Sequence, residues 1–158
     1  MSRRVEESGD VPDDFRSWWW TERQLWWRDI DELGHLTAAR YADLYQEACG
    51  DFVEEAWGPD DAAYVVARID TVYLSEIRLS ESPVRVYARA TKVGRSSFTL
   101  SMVVCSATGR LSSSAEGTYV AWDRARRGGR AMTEVERASL AALGARHVPG
   151  ETGTQSTS

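Results

Sequence analysis

The sequence predicts an α+β domain in which one long central helix is wrapped by a curved antiparallel β-sheet of about five strands. Three observations carry this. Apolar residues over 38–57 recur at three- and four-residue steps; the sixty residues after them read as strands divided by short turns; and helix and strand do not alternate as a doubly wound fold requires. At 158 residues, with 42% hydrophobic and 27% charged residues, the chain has one domain's length and an ordinary globular composition.

Residues 1–17 are polar and acidic and read as a flexible leader. A single domain is expected over 18–146, and a disordered tail over 147–158, where the residues are small and polar. Five of the seven tryptophans fall between Trp18 and Trp27. A first strand, about Trp20 to Arg28, follows from them. Side chains on a strand alternate faces, so Trp18, Trp19 and Trp20 cannot all enter one core, and at least one should meet a partner subunit or water.

The clearest element comes next. Ala38, Tyr41, Leu44, Tyr45, Ala48, Cys49, Phe52, Val53, Ala56 and Trp57 fall at helical spacing, and Gly58-Pro59 stops the run. Strands are expected at Tyr64–Ile69, Val72–Leu74, Val84–Arg89, Ser97–Cys105 and Ser112–Trp122, all rich in β-branched and aromatic residues. Short turns at 93–96 and 107–110 predict antiparallel neighbours. Thr133-Glu134-Val135-Glu136 is a capping box that opens a short helix to about Leu143. A sheet of this kind leaves edge strands open, and pairing with a second copy closes one, so a dimer is expected.

Several function classes fall away. The net charge of −5 lacks the basic footprint of a general nucleic-acid binder. The run from Arg124 through Arg126 and Arg127 to Arg130 reads as a solvated connector, or as a grip on a phosphorylated ligand. No stretch approaches the ~18 apolar residues of a membrane span, and the acidic start has no apolar signal-peptide core. Cys49 and Cys105 form no CxxC pair, which fits a reducing, cytoplasmic setting. Nucleophile-elbow, phosphate-loop, dinucleotide-fold and zinc-helix motifs are missing, and His35 and His147 with the two cysteines give no metal-ligand spacing. No metal and no cofactor are expected.

The chemistry that remains lies between the first strand and the helix. Asp29 and Asp31 precede Gly34-His35, and the helix opens a few residues on. A helix start offers free N–H groups and partial positive charge that stabilise an oxyanion. A carboxylate beside it can attack a carbonyl or activate water. An aspartate there also serves simply as an N-cap or dipole partner.

The stretch from Trp27 through Asp29, Asp31, Gly34 and His35 to Leu36, followed by Ala39-Arg40-Tyr41 and Tyr45-Gln46-Glu47-Ala48, resembles the 4-hydroxybenzoyl-CoA thioesterase-like family of hot-dog proteins. Residues 69–78 and 92–98 look like later strand regions of that family, and the resemblance covers about residues 20–123. It implies a hot-dog-fold hydrolase acting on an acyl-CoA or acyl-carrier-protein thioester, with the coenzyme A moiety belonging to the substrate. Asp31 would be the catalytic carboxylate, as nucleophile or general base. The backbone N–H near Ala38 would be the oxyanion donor. His35 would orient substrate or water, or serve structurally. Gly34 would contact substrate; Tyr41 and Tyr45 would wall the acyl pocket, or simply pack in the core. Arg95, Ser96 and Ser97 would hold pantetheine and phosphates, arginine's fork suiting phosphate oxygens. Glu47 is a second carboxylate, in a supporting role. A homodimer, or a homotetramer built from two dimers, completes the expectation.

The chain departs from the family in carrying Thr37-Ala38 where many members have Asn-Asn, and in its Trp-rich start. Two other functions stand beside hydrolysis: a hydratase or dehydratase of the same fold, which pairs a histidine with an acid differently, and a non-catalytic acyl-thioester binder.

Overall fold

The computed structural model describes Phe15 and residues 17–143, so most of the leader and the whole 147–158 tail lie outside the described residues. Helix α1 spans Ala38–Trp57, the extent its sequence predicts. Thr37 caps it, its Oγ1 accepting from the Arg40 N–H at 3.2 Å, and Gly58 ends it at φ +89°.

The strands are β1 (Trp19–Arg23), β2 (Tyr64–Tyr73), β3 (Val84–Val93), β4 (Ser97–Cys105), β5 (Leu111–Asp123) and the short β6 (Gly128–Gly129). They form one antiparallel sheet in the order β1-β3-β4-β5-β2, with β6 folded back on the end of β5. Helix α2, Glu134–Leu143, follows, and its expected capping box is present: the Glu136 N–H donates to Thr133 Oγ1 at 3.1 Å, and the Thr133 N–H to Glu136 Oε1 at 3.0 Å.

Three expectations need correction. The first strand stops at Arg23, because the Asp29 carboxylate captures the Trp26 N–H at 2.8 Å and winds Trp27–Asp29 into a 3-10 turn. The stretches at 64–69 and 72–74 are one strand, β2, with an extra residue at Ala67. Strand β3 runs on to Val93, with a similar irregularity between Ala90 and Lys92. Such bulges bend a sheet, and here the sheet curls around α1.

Tyr45, Ala48, Cys49, Phe52 and Val53 of α1 are fully buried against Val84, Val86, Phe98, Leu100, Met102 and Tyr119 of the sheet. Burying each large side chain contributes about 1.5–3 kcal/mol. Trp19 points into this core, edge-on to Phe52 at 5.3 Å. Trp18 takes the opposite face, where it is 7% exposed in a second cluster with Phe15, Tyr87, Val103, Cys105 and Leu111. Trp20 lies half-buried on that same face, under the Arg85 guanidinium. The alternation predicted for the three rings holds: Trp18 and Trp20 both miss the main core, Trp18 is buried in a small core of its own, and Trp20 stays partly open to water.

A polar ladder joins α1 to β1. Glu47, Asp51 and Glu55 lie one turn apart, a rise of about 6 Å; Arg23, Thr21 and Trp19 lie two residues apart, about 6.6 Å. The repeats match, and Arg23 Nε meets Glu47 at 3.1 Å, Thr21 Oγ1 meets Asp51 at 3.0 Å, and Trp19 Nε1 meets Glu55 at 2.5 Å. Glu47 also accepts from Arg40 Nη1 at 2.9 Å, so both its oxygens serve the framework. Among the described residues, no helix is long and apolar enough to cross a membrane.

Candidate active site

The loop from Asp29 to Thr37 is built around its two aspartates. Asp29 is 8% exposed; besides the Trp26 N–H it holds the Thr37 N–H on its carbonyl at 2.9 Å and lies 3.6 Å from Arg40 Nε. It is a brace. Asp31 is exposed. Its Oδ1 accepts from the backbone N–H groups of Leu33 at 2.9 Å and His35 at 3.0 Å, while its own N–H donates to the His35 carbonyl at 2.8 Å. Gly34, at φ +81°, makes the reversal that brings those amides back. Asp31 Oδ2 has no partner among the described residues, so one oxygen fixes the carboxylate and the other is unoccupied.

Downstream, the loop delivers the chain into α1. The N–H groups of Ala38 and Ala39 meet no acceptor among the described residues, as the first turn of a helix requires. His35 is half-exposed, and its Nε2 contacts a carboxylate oxygen of Glu76. Sequence reasoning placed Glu76 only within the family-like 69–78 stretch and gave it no role; the fold brings it to the loop. The Leu36 N–H donates to the Ile77 carbonyl at 2.8 Å, which docks the loop on the 74–78 segment.

Tyr41 and Tyr45 lie in the core beneath. Tyr45 is fully buried, and its hydroxyl donates to Ser113 Oγ at 2.7 Å; the Tyr41 hydroxyl meets Ser112 Oγ. Consecutive residues of a strand face opposite ways, yet both serines face α1. The register of β5 on β4 slips at Ser112, between the pairs Val104–Ser113 and Cys105–Leu111, and that bulge turns the extra side chain inward. Desolvation is the main cause that raises both tyrosine hydroxyls above their ordinary titration range.

Arg95, Ser96 and Ser97 are not beside Asp31. The registers place Arg23, Tyr73 and Ser113 at the end of the sheet where α1 starts, and Val93, Ser97 and Tyr64 at the end where it finishes. Strand β4 separates the two ends by roughly 30 Å. Arg95 is exposed on its turn, and its carbonyl accepts from the Met132 N–H at 2.8 Å.

A cavity of 660 Å³ opens at the helix-finish end, lined by Trp57, Trp122, Asp60, Asp61, Arg124 and Arg130 among others. It contains none of the residues the sequence singled out for the site, and its four carboxylates against two guanidinium groups suit a phosphorylated ligand poorly. Arg124, Arg126 and Arg127 are exposed on the β5–β6 turn, while Arg130 is tied to Glu136 by bonds of 2.8 and 2.6 Å. Among the described residues, no group of three or more His, Cys, Asp or Glu is gathered to hold a metal.

One long helix in the curl of a five-stranded antiparallel sheet, entered through a Gly-His loop, defines a hot-dog-fold protein. The chain belongs to the thioesterase-like superfamily, whose family model matches residues 25–143. Solved structures agree on the fold. A thioesterase of Thermus thermophilus, complexed with coenzyme A and zinc, matches with a TM-score of 0.71 at 24% identity, over 82% of this chain and 96% of that one. A hypothetical protein of Staphylococcus aureus, in complex with coenzyme A, gives 0.73 at 16% identity, over 82% and 85%. A 1,4-dihydroxy-2-naphthoyl-CoA thioesterase of Synechocystis gives 0.67 at 13% identity, over 77% and 94%. No curated protein sequence matches the chain.

Proposed function

We propose that the protein is an acyl thioesterase that hydrolyses an acyl-CoA or acyl-carrier-protein thioester, with Asp31 as the reacting carboxylate. The observation that carries this is the state of Asp31: Oδ1 bound by two backbone amides, Oδ2 unpartnered among the described residues, on a loop that runs into unsatisfied helix N–H groups. Those amides, at Ala38 and Ala39, stabilise the oxygen that becomes negative when the carbonyl is attacked. As nucleophile, Oδ2 bonds to the acyl carbon, the thiolate leaves and takes a proton, and water cleaves the resulting anhydride. As general base, Oδ2 takes the proton of an attacking water and returns it to the thiolate. Single turnover in ¹⁸O-water tests the first route, because water that attacks the Asp31 carboxyl carbon of the anhydride leaves its label in Asp31, which the general-base route never does.

The site is completed by a second copy. In an antiparallel pair through β2, the helix-start end of one chain lies against the helix-finish end of the other, which brings Arg95 of the partner subunit to the side of Asp31. That is the place for the phosphates of an extended thioester. Strand β2 is the open edge opposite β1, and Val66, Val72 and Tyr73 on it are 45%, 54% and 54% exposed. Trp26, Trp27 and Leu33, on the same stretch of chain as Asp31 and 59%, 83% and 77% exposed, favour an aromatic or long apolar acyl group.

The test is thiol release from a panel of acyl-CoA and acyl-carrier-protein thioesters. We expect turnover by the wild type and a loss of at least about a hundredfold in Asp31→Asn with the fold retained; equal rates would remove Asp31 from the reaction. The His35–Glu76 contact favours one other reading, hydration of an unsaturated acyl thioester. Consumption of enoyl-CoA without thiol release would establish it instead.

A further inference from the structure

We propose that Glu76 is the positioning residue of His35: its carboxylate holds Nε2, sets the ring and its tautomer, and leaves Nδ1 as the nitrogen that meets water or the acyl thioester. The catalytic consequence rests on the thioesterase reading; the tautomer does not.

The backbone of His35 is already fixed, since its N–H donates to Asp31 Oδ1 and its carbonyl accepts from the Asp31 N–H. Rotation of the side chain is the freedom that remains. Glu76 stands on a segment anchored on both sides. The Leu74 and Ser75 N–H groups donate to the Ser112 carbonyl at 2.8 and 3.1 Å, Ser112 Oγ donates to the Ser75 carbonyl at 2.6 Å, and Ile77, fully buried, holds Leu36. The residue after His35 is thus bonded to the residue after Glu76, so the two backbones stay together and only side-chain rotation can part the pair.

The carboxylate divides its oxygens. Oε1 accepts from Arg78 Nε at 3.2 Å and Nη2 at 3.0 Å, and Oε2 faces the imidazole. A carboxylate is acceptor-only, so a neutral ring must present its N–H from Nε2, and the lone pair then lies on Nδ1. Glu76 is the charged group in contact with the ring; Arg78 reaches the same carboxylate, and Asp31 holds the His35 backbone N–H. Both partners keep about a third of their surface open, which leaves the ring reachable by a ligand.

The decisive measurement is ¹⁵N NMR of the full chain, with the neutral imidazole observed and His147→Gln used to assign the second histidine. We expect His35 as the Nε2–H tautomer in the wild type and a mixture of tautomers in Glu76→Ala. Unchanged tautomer populations would overturn the assignment. If circular dichroism shows Glu76→Ala unfolded, Glu76→Leu, which also lacks an acceptor, replaces it with the same readout. Kinetically, Glu76→Gln should lower kcat about tenfold with KM within about twofold, and Glu76→Asp should recover part of the loss. Equal kcat in all three forms would also overturn it. A wild type inert toward every thioester would defeat the hydrolysis reading alone, leaving the tautomer measurement to decide the role of Glu76.

Discussion

A single aspartate oxygen held by two amides costs the chain little, because the same bonds close the turn that leads into α1. In the proposed reaction Asp31 is both the turn's acceptor and the reacting group, so the two roles left open in the sequence do not compete: one oxygen serves each. Other side chains are constrained purely by space. A Cβ at Gly117 would lie 2.7 Å from the ring of Tyr119, which is fully buried and stacked 5.4 Å from Phe98. Gly117→Ala should cost about 1–3 kcal/mol by urea unfolding. Burial pushes the thiols of Cys49 and Cys105 up to about 12. Neither should react with a disulfide reagent in the native protein at neutral pH, and both should react once urea unfolds it. At this scale the sequence was partly legible. The motif pointed to Asp31, His35 and the helix start, but the role of Glu76 was invisible because it reaches His35 only through the docking of Leu36 on Ile77. Tyr41 and Tyr45 looked equally like pocket wall and core; their hydroxyls are bound to serines that a bulge turns inward, and bulges leave no mark in composition.

Helix α1 was readable from its apolar period and its Gly58-Pro59 stop, while the Thr37 cap that opens it came only with the structure. Strands were harder to read, and β2 most of all. It is an open edge, so Arg68, Asp70 and Thr71 sit in it without breaking the ladder and look like a gap between two shorter strands. Removing the cap in Thr37→Ala should cost about 1 kcal/mol by chemical denaturation and loosen the candidate oxyanion donors with it. For α2 the effect depends on pH. Hydrogen bonds from Arg130, aided by the Thr133 amide and hydroxyl, hold the Glu136 carboxyl below its ordinary value against the opposing cost of burial. A lowered carboxyl stabilises the fold fully above the ordinary carboxylate range and loses that contribution as pH falls through the lowered value. Thermal melts of wild type and Glu136→Gln should therefore differ at neutral pH and converge in acid; a constant difference down to about pH 2 would contradict the linkage.

For the whole molecule, charge at the open edge is self-complementary. Arg68 and Asp70 flank Ile69, and an antiparallel pair centred on Ile69 would set each arginine opposite the other copy's aspartate. In the proposed dimer, Asp70→Arg should raise the dissociation constant in sedimentation experiments, and the added change Arg68→Asp should reverse it. The second core on the sheet's outer face was not legible as such, although the tryptophan alternation that fills it was. The distance between Asp31 and the Arg95 turn bears on inheritance as much as on catalysis. If each working centre borrows half its parts, a defective copy can be rescued by a differently defective one. Mixing Asp31→Asn chains with Arg95→Ala chains and letting them exchange would leave about a quarter of the centres whole. Activity would emerge from two preparations that each lack it, a complementation unavailable to any enzyme whose machinery lies within a single polypeptide.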